Sequence, residues 1–209
     1  MESHLPLFPL KLVAFPGETL NLHIFEERYK QLTRECLAEG MPFGVVSYVE
    51  DRIEYGTDVD IIAVVQEYED GSMDITTQAS RVFKVLSFAN PVAGKLYAGG
   101  EVSFLNNIDN NSLSTRMEMI ELIKKLFSVV SMVESVEVAE DITAFDVGHK
   151  VGLSLEQKYI LIQIETEEER QQYIIRHLQQ TIPVLQEMEQ TKERIRMNGH
   201  FKKFDPLDF

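Results

Sequence analysis

The sequence changes texture once, across the polar run Asn106-Asn107-Ile108-Asp109-Asn110-Asn111-Ser112, and that change limits the fold more than any other feature. Before it, short runs rich in Val, Ile, Phe and Tyr recur between Gly, Pro, Asn and Asp punctuation, the pattern of short strands in a small barrel or sandwich. After it, apolar residues return at steps of three and four, the period of amphipathic helices. A chain of 209 residues with both textures predicts an α+β protein. The expected division is a β part over 1–108, a helical part over 109–198 and a tail over 199–209. That tail sets Phe201, Phe204 and Phe209 among Lys202, Lys203, Asp205 and Asp208.

One helix interrupts the β part early. Leu5 to Leu12 is apolar but carries Pro6 and Pro9, which suit an edge strand. Phe15-Pro16-Gly17-Glu18 has the residues of a tight turn. Thr19 to Ile24 alternates as a second strand. Phe25, Tyr29, Leu32, Cys36 and Leu37 then fall at helical spacing, with Glu26, Glu27, Lys30 and Glu35 on the other faces. Gly40 sits where a helix-ending glycine belongs, followed by Pro42. Phe43 to Val49 is extended again.

The remaining strands follow as a meander. Gly56-Thr57 is expected to punctuate it, and Val59 to Tyr68 to form a buried strand. Asp70-Gly71 is a hairpin turn leading into Met73 to Thr77 and Arg81 to Phe88. Asn90-Pro91 turns the chain, and Gly99-Gly100 marks a bulge or second turn between Lys95–Tyr97 and Glu101–Leu105.

In the helical part, Leu113, Met117, Ile120, Ile123, Phe127 and Val130 share a face behind a Ser112 N-cap. A loop is expected over 135–141 and a short helix over 142–147, ended by Gly148. Ser154 with Gln157, and Thr166 with Glu169, have capping-box spacing, the first for a helix through Ile164. The last helix carries a heptad-like stripe of Ile174, Leu178, Thr181, Leu185, Met188, Lys192 and Ile195. The stripe suits packing inside the chain's own bundle, and also a homodimer seam over 174–195 weakened by Thr181 and Lys192. Pro183 is expected to kink or end that helix.

Charge and motif content bear on function. The net charge of −14, from 20 basic against 34 acidic side chains, opposes a nucleic-acid role, which needs a basic footprint. There is no glycine-rich nucleotide loop, no GxSxG elbow and no grouping of the five histidines. No metal or other cofactor is expected. A single cysteine, no secretory leader and no apolar run of membrane-spanning length point to a reducing, cytoplasmic setting without membrane contact. Carboxylates are plentiful, but nothing singles out a catalytic pair. A non-enzymatic role is therefore expected. The alternative is an enzyme acting on a small molecule through an unrecognised carboxylate site.

Leu5-Pro6-Leu7-Phe8-Pro9-Leu10, the Phe15-Pro16-Gly17 turn and Leu22-His23-Ile24-Phe25-Glu26-Glu27-Arg28-Tyr29 resemble the N-terminal, substrate-binding domain of the ATP-dependent protease Lon. The hairpin Asp70-Gly71 followed by Ser80-Arg81-Val82-Phe83, and the acidic helical segment Ser154 to Glu189, extend the resemblance over roughly residues 4 to 195. The glycine that usually stands shortly before that arginine is missing from Thr77-Gln78-Ala79-Ser80. The resemblance implies a PUA-like β pseudo-barrel with one inserted helix, then an α-helical bundle ending in a long helix. It implies a protein- or peptide-binding module whose clients are unfolded or partly folded chains, acting as adaptor to a Lon-type protease or as a chaperone-like holder. Lon's ATPase and peptidase lie in later domains, and this sequence is expected to end before them. Phe15, Pro16, Glu26, Glu27 and Arg28 are the candidate client-binding residues by that resemblance. Helix-end electrostatics and barrel closure explain the same residues without a client. A PUA-like fold also raises RNA binding, by fold analogy alone and against the charge.

Overall fold

The computed structural model describes residues 2–50, 52–131 and 139–200. Residues 201–209 of the expected tail, with its three phenylalanines, and residues 135–138 of the expected loop lie outside the described residues, while 199–200 continue the last helix. Six strands, β1 (Glu2–Leu10), β2 (Thr19–Ile24), β3 (Phe43–Ser47), β4 (Tyr55–Glu67), β5 (Met73–Val85) and β6 (Ala98–Phe104), form one sheet in the order β2-β5-β4-β3-β1-β6. Five helices accompany them: α1 (Glu27–Glu39), α2 (Leu113–Ser131), α3 (Ala144–Val147), α4 (Leu155–Leu161) and α5 (Glu167–His200).

Strand β5 closes the sheet on itself. Its first half pairs with β2, its length pairs with β4, and Phe83–Val85 turn to pair with Val102–Phe104 of β6. The closed ring β5-β4-β3-β1-β6 is a pseudo-barrel, with β2 added outside it. Leu7, Val46, Phe83, Ala98 and Val102 fill its interior, and a second cluster around Ile75, Met73, Leu32 and Cys36 joins the sheet to α1. Phe8 stacks on Tyr29 of that helix with ring centroids 3.7 Å apart. Gly40, in the left-handed region at φ 63°, ends α1 as its position implies.

β1 is not an edge strand, and its prolines show why a central position is open to it. Residues 2–7 pair with β6 and residues 7–10 with β3, so the strand changes neighbour at Leu7. Pro6 and Pro9 each fall where the strand has one partner, and a missing N–H on the other side costs no ladder bond. Gly56-Thr57 and Gly99-Gly100 lie inside β4 and β6 rather than at turns. At Gly100 a Cβ would overlap the Ser87 carbonyl, so the crossing of these segments requires glycine. Phe25 precedes α1 and is exposed; that helix buries Tyr29, Leu32, Thr33 and Cys36.

The helical half keeps its predicted starts. Ser112 Oγ accepts the Thr115 N–H, Ser154 and Gln157 make a reciprocal capping box, and Thr166 Oγ1 accepts the Glu169 N–H. Its predicted faces shift. On α2 the buried residues are Met119, Ile120, Ile123 and Leu126, while Leu113, Met117 and Val130 are exposed. α4 ends at Leu161, and α5 runs through Pro183 as one helix about 51 Å long at roughly 1.5 Å per residue. Ile174, Leu178 and Ile182 of α5 are buried in the core shared with α2.

Cys36 has a checkable titration. Burial, then the neighbouring Glu35 and Glu39, pushes its thiol from an ordinary value of 9.0 up to about 12. The unfolded thiol ionises first as pH rises, so unfolding releases a proton between those values and stability falls with increasing pH. The slope from this one group approaches about 1.4 kcal/mol per pH unit. Urea titrations at pH 8 to 11 should show that Cys36→Ala loses less stability across the range than the parent chain. Parallel curves would refute the shift.

Candidate functional site

The barrel meets the helices at the β1–β2 turn. Phe15 has no exposed surface; its ring stacks on Phe145, with centroids 5.5 Å apart, and lies 4.6 Å from the His149 ring. A Cβ on Gly148 would overlap that ring, so the tight end of α3 needs glycine there. The Phe15 N–H donates to Glu18 Oε2 at 3.0 Å, and the same carboxylate oxygen lies 2.6 Å from His149 Nε2. Pro16 is half-buried beside a cleft of about 210 Å³ that Asn107, Asp109, Thr143, Glu167 and Arg170 also line.

Behind that cleft is a buried ion pair. Arg170 Nε donates to Glu167 Oε2 at 2.9 Å. Arg170 also donates to the Ile164 carbonyl and to Asn107 Oδ1, and its guanidinium lies 4.2 Å from the centre of the Phe145 ring. Glu167 Oε1 accepts the Ala144 N–H at 2.7 Å and a Gln171 amide hydrogen at 3.0 Å. The network ties α5, α3 and the linker after β6 together. Arg170 and Glu167 are committed to each other and to internal partners, the chemistry of a fastener rather than of a catalytic acid, while Gln171 Oε1 is left buried without a hydrogen bond.

The open apolar surface lies at the other end. β3 pairs only with residues 56–59 of β4, so the rest of that thirteen-residue strand overhangs the barrel as the outer strand of an arm. β5 is its middle strand and β2 its inner one, with Gln66, Asp74 and His23 in one row. The arm's inner face carries Met73, Ile75 and Thr77, all buried. Its outer strand does not match the buried strand expected from Val59 to Tyr68. Val59 is buried, but Ile62 is 59% exposed, Val65 66% exposed, and Val64 and Tyr68 are exposed too. The physical reason is bulging. The register slips between Ile61 and Ala63 and again between Val64 and Gln66, which turns Ile62 and Val65 out of the alternation.

The sequence-predicted helix start adjoins this arm. Lys30 Nζ donates to Glu27 Oε1 at 2.9 Å and to the Asp70 carbonyl at 2.8 Å, and Arg34 donates to the Gly71 carbonyl. Phe25 stacks on His23, whose ring meets Tyr68 edge-on. Phe25, 61% exposed, therefore extends the apolar surface from the arm to the helix start. Glu26 accepts from Arg28 Nε at 2.9 Å, and the Arg28 guanidinium lies over Tyr29 beside a cleft of about 290 Å³. Thus Glu26, Glu27 and Arg28 lie together on the surface near the arm, Pro16 lies at the junction, and Phe15 is interior. Sequence reasoning missed Ile62, Val64, Val65 and Tyr68. The usable signal was length, because an apolar run longer than its β3 partner must overhang.

One tyrosine and one carboxylate record the local electrostatics. Tyr68 donates to Asp74 Oδ2 at 2.7 Å; that bond raises the phenol, while bonds from His23 and then Tyr68 lower the Asp74 carboxyl. Among the described residues, no group of three or more His, Cys, Asp or Glu side chains is placed to hold a metal ion. No described helix is long and apolar enough to cross a membrane.

A closed pseudo-barrel carrying one inserted helix and followed by helices that end in a long one defines the class of the fold. The chain belongs to the ATP-dependent protease La (LON) substrate-binding domain family, whose model matches residues 4–180. Among solved structures it is similar to the Lon N-terminal domain protein from Xanthomonas campestris. That match has 25% identity and a TM-score of 0.65, and covers 83% of this chain and 97% of that one. It shares its fold with the N-terminal domain of the Mycobacterium avium complex Lon protease, at 15% identity and a TM-score of 0.61, over 86% of this chain and 100% of that one. A search of curated protein sequences gives no match.

Proposed function

We propose that this chain is a non-catalytic module that binds non-native polypeptide through the arm and the adjoining helix start. The observation that carries the reading is the exposed row Ile62, Val64, Val65 and Tyr68 on a strand without an outer neighbour among the described residues. Apolar side chains gathered on an accessible surface mark an interaction site more often than a solvated face. Membership of a substrate-binding domain family supports the same reading. Phe25, Glu26, Glu27 and Arg28 form its border, whereas Phe15 and Pro16 hold the junction that keeps the arm in place. The barrel and helices are proposed as separate units meeting near residue 108. Work as an adaptor to a Lon-type protease, or as a holder of unfolded chains in the cytoplasm, fits a binding surface of this kind. Self-association through α5 has Val184, Met188 and Ile195 open to it, since Ile174 and Leu178 are committed to the core.

The test is binding of fluorescently labelled, reduced and alkylated casein, followed by anisotropy without nucleotide. The double variant I62D/V65D should weaken binding at least about tenfold, because two apolar side chains each lose about 1 kcal/mol or more of burial. Both residues are exposed, so the circular dichroism spectrum should be unchanged. Equal affinity for parent and variant would overturn the assignment to the arm. No binding by the parent chain would overturn the function.

A further inference from the structure

The apolar arm ends in a strand edge of unusual composition. Residues 60–67 of β4 have β5 on one side and no strand on the other among the described residues. Such an edge offers unpaired N–H and C=O groups along about 26 Å at roughly 3.3 Å per residue. Proteins usually guard an open edge with lysine or proline. Here neither occurs between Arg52 and Arg81, and Lys or Arg is absent altogether. The surrounding charge is acidic: Asp60, Glu67, Glu69, Asp70 and Asp74. The basic side chains that reach this end, Lys30 and Arg34, donate to the carbonyls of the turn at Asp70 and Gly71, away from the β4 edge.

Resting on the binding role proposed above, we infer that the module takes its client as an added β-strand. An extended segment carrying Lys or Arg among apolar residues would lie along residues 60–67 of β4. Backbone pairing would supply sequence-tolerant affinity, which a binder of many clients needs. The carboxylates around the edge would favour basic side chains in the added strand. The two bulges decide between occupants. A second copy would have to pair one bulged edge against another, and the slips at Ile62 and Val65 interrupt a continuous ladder on both sides. An unfolded segment has no register of its own and can follow the bulges. They therefore protect the edge from self-pairing while leaving it open to a client.

The test uses the full chain and blocked ten-residue peptides alternating Lys with Val and Thr. The parent peptide should bind, and its contacts in nuclear magnetic resonance should fall on β4, with slowed amide exchange confined to residues 60–67. An analogue N-methylated at successive residues keeps its side chains but loses the donors on both edges, and should bind at least tenfold more weakly. An analogue with Glu in place of Lys should also lose at least tenfold. Equal binding of the N-methylated and parent peptides would overturn strand addition. So would protection at α1 instead of β4, or a concentration-dependent dimer through residues 60–67 without peptide. If unfolded casein binds and I62D/V65D weakens it while N-methylation has no effect, the binding role stands and the strand mechanism falls. If casein does not bind, both fall.

Discussion

Phe15→Ala is expected to lower the free energy of unfolding by about 3–5 kcal/mol, the range for deleting a buried phenylalanine ring. Phe15 is fully enclosed and touches both halves of the molecule: its own turn on the barrel side, and Phe145, Gly148 and His149 on the helical side. The cavity left behind cannot collapse easily. Gly148 offers no side chain to fill it, and the turn is held by Gly17 N–H to the Ala79 carbonyl and Glu18 N–H to the Phe15 carbonyl. Urea unfolding followed by circular dichroism measures the loss. A loss under about 1 kcal/mol would show that the ring is not central to the junction. Phe15→Leu, which keeps much of the volume, should recover most of the difference.

The second large effect is expected at Arg170. Arg170→Met should cost about 3–5 kcal/mol, because it leaves the Glu167 carboxylate buried without its cation. It also strips donors from the Ile164 carbonyl and Asn107 Oδ1. Arg170→Lys should rescue only part of this, since an ammonium cannot reproduce the planar fork that reaches Glu167, Asn107 and a carbonyl together. The double variant E167Q/R170M separates charge burial from packing. It should be clearly more stable than R170M alone, as the unpaired charge is gone while the amide can still accept the Ala144 N–H. If the double variant is no more stable than R170M, the ion pair is not what holds this site.

Much of the architecture was legible because it rests on local chemistry. Ser112, Ser154, Thr166 and Gly40 announce helix ends through hydrogen-bonding or backbone preferences that act within a few residues, and the structure keeps each of them. The change from strands to helices between Phe104 and Leu113 was legible for the same reason. The errors came where neighbours distant in sequence decide. Pro6 and Pro9 argued for an edge, but a strand that changes partner at Leu7 has two half-edges inside the sheet. Gly100 reads as a bulge or a turn and is instead a close crossing with Ser87. For the candidate site, resemblance points to the charged helix start, and the arm beside it runs against the expectation of a buried strand. Ile62 to Val65 are apolar enough to be core, and only the short reach of β3 and two slips of register leave them outside, while Ile61 still packs against the core.

The exchange of partners along β1 has a consequence for synthesis. Residues 2–6 of this strand pair only with β6, which the ribosome releases nearly a hundred residues later. At translation speeds of about 5–20 residues per second, the N-terminal segment waits several seconds or longer for its partner. Meanwhile Leu5 has no place in the barrel interior. The cluster around Val13, Phe15 and Val82 waits longer still, for Leu178 and Ile182 of α5. Residues 2–6 are thus made well before the partner that seals them. A nascent chain halted before Phe104 would leave Leu5 and Leu7 without the β6 side of the barrel interior.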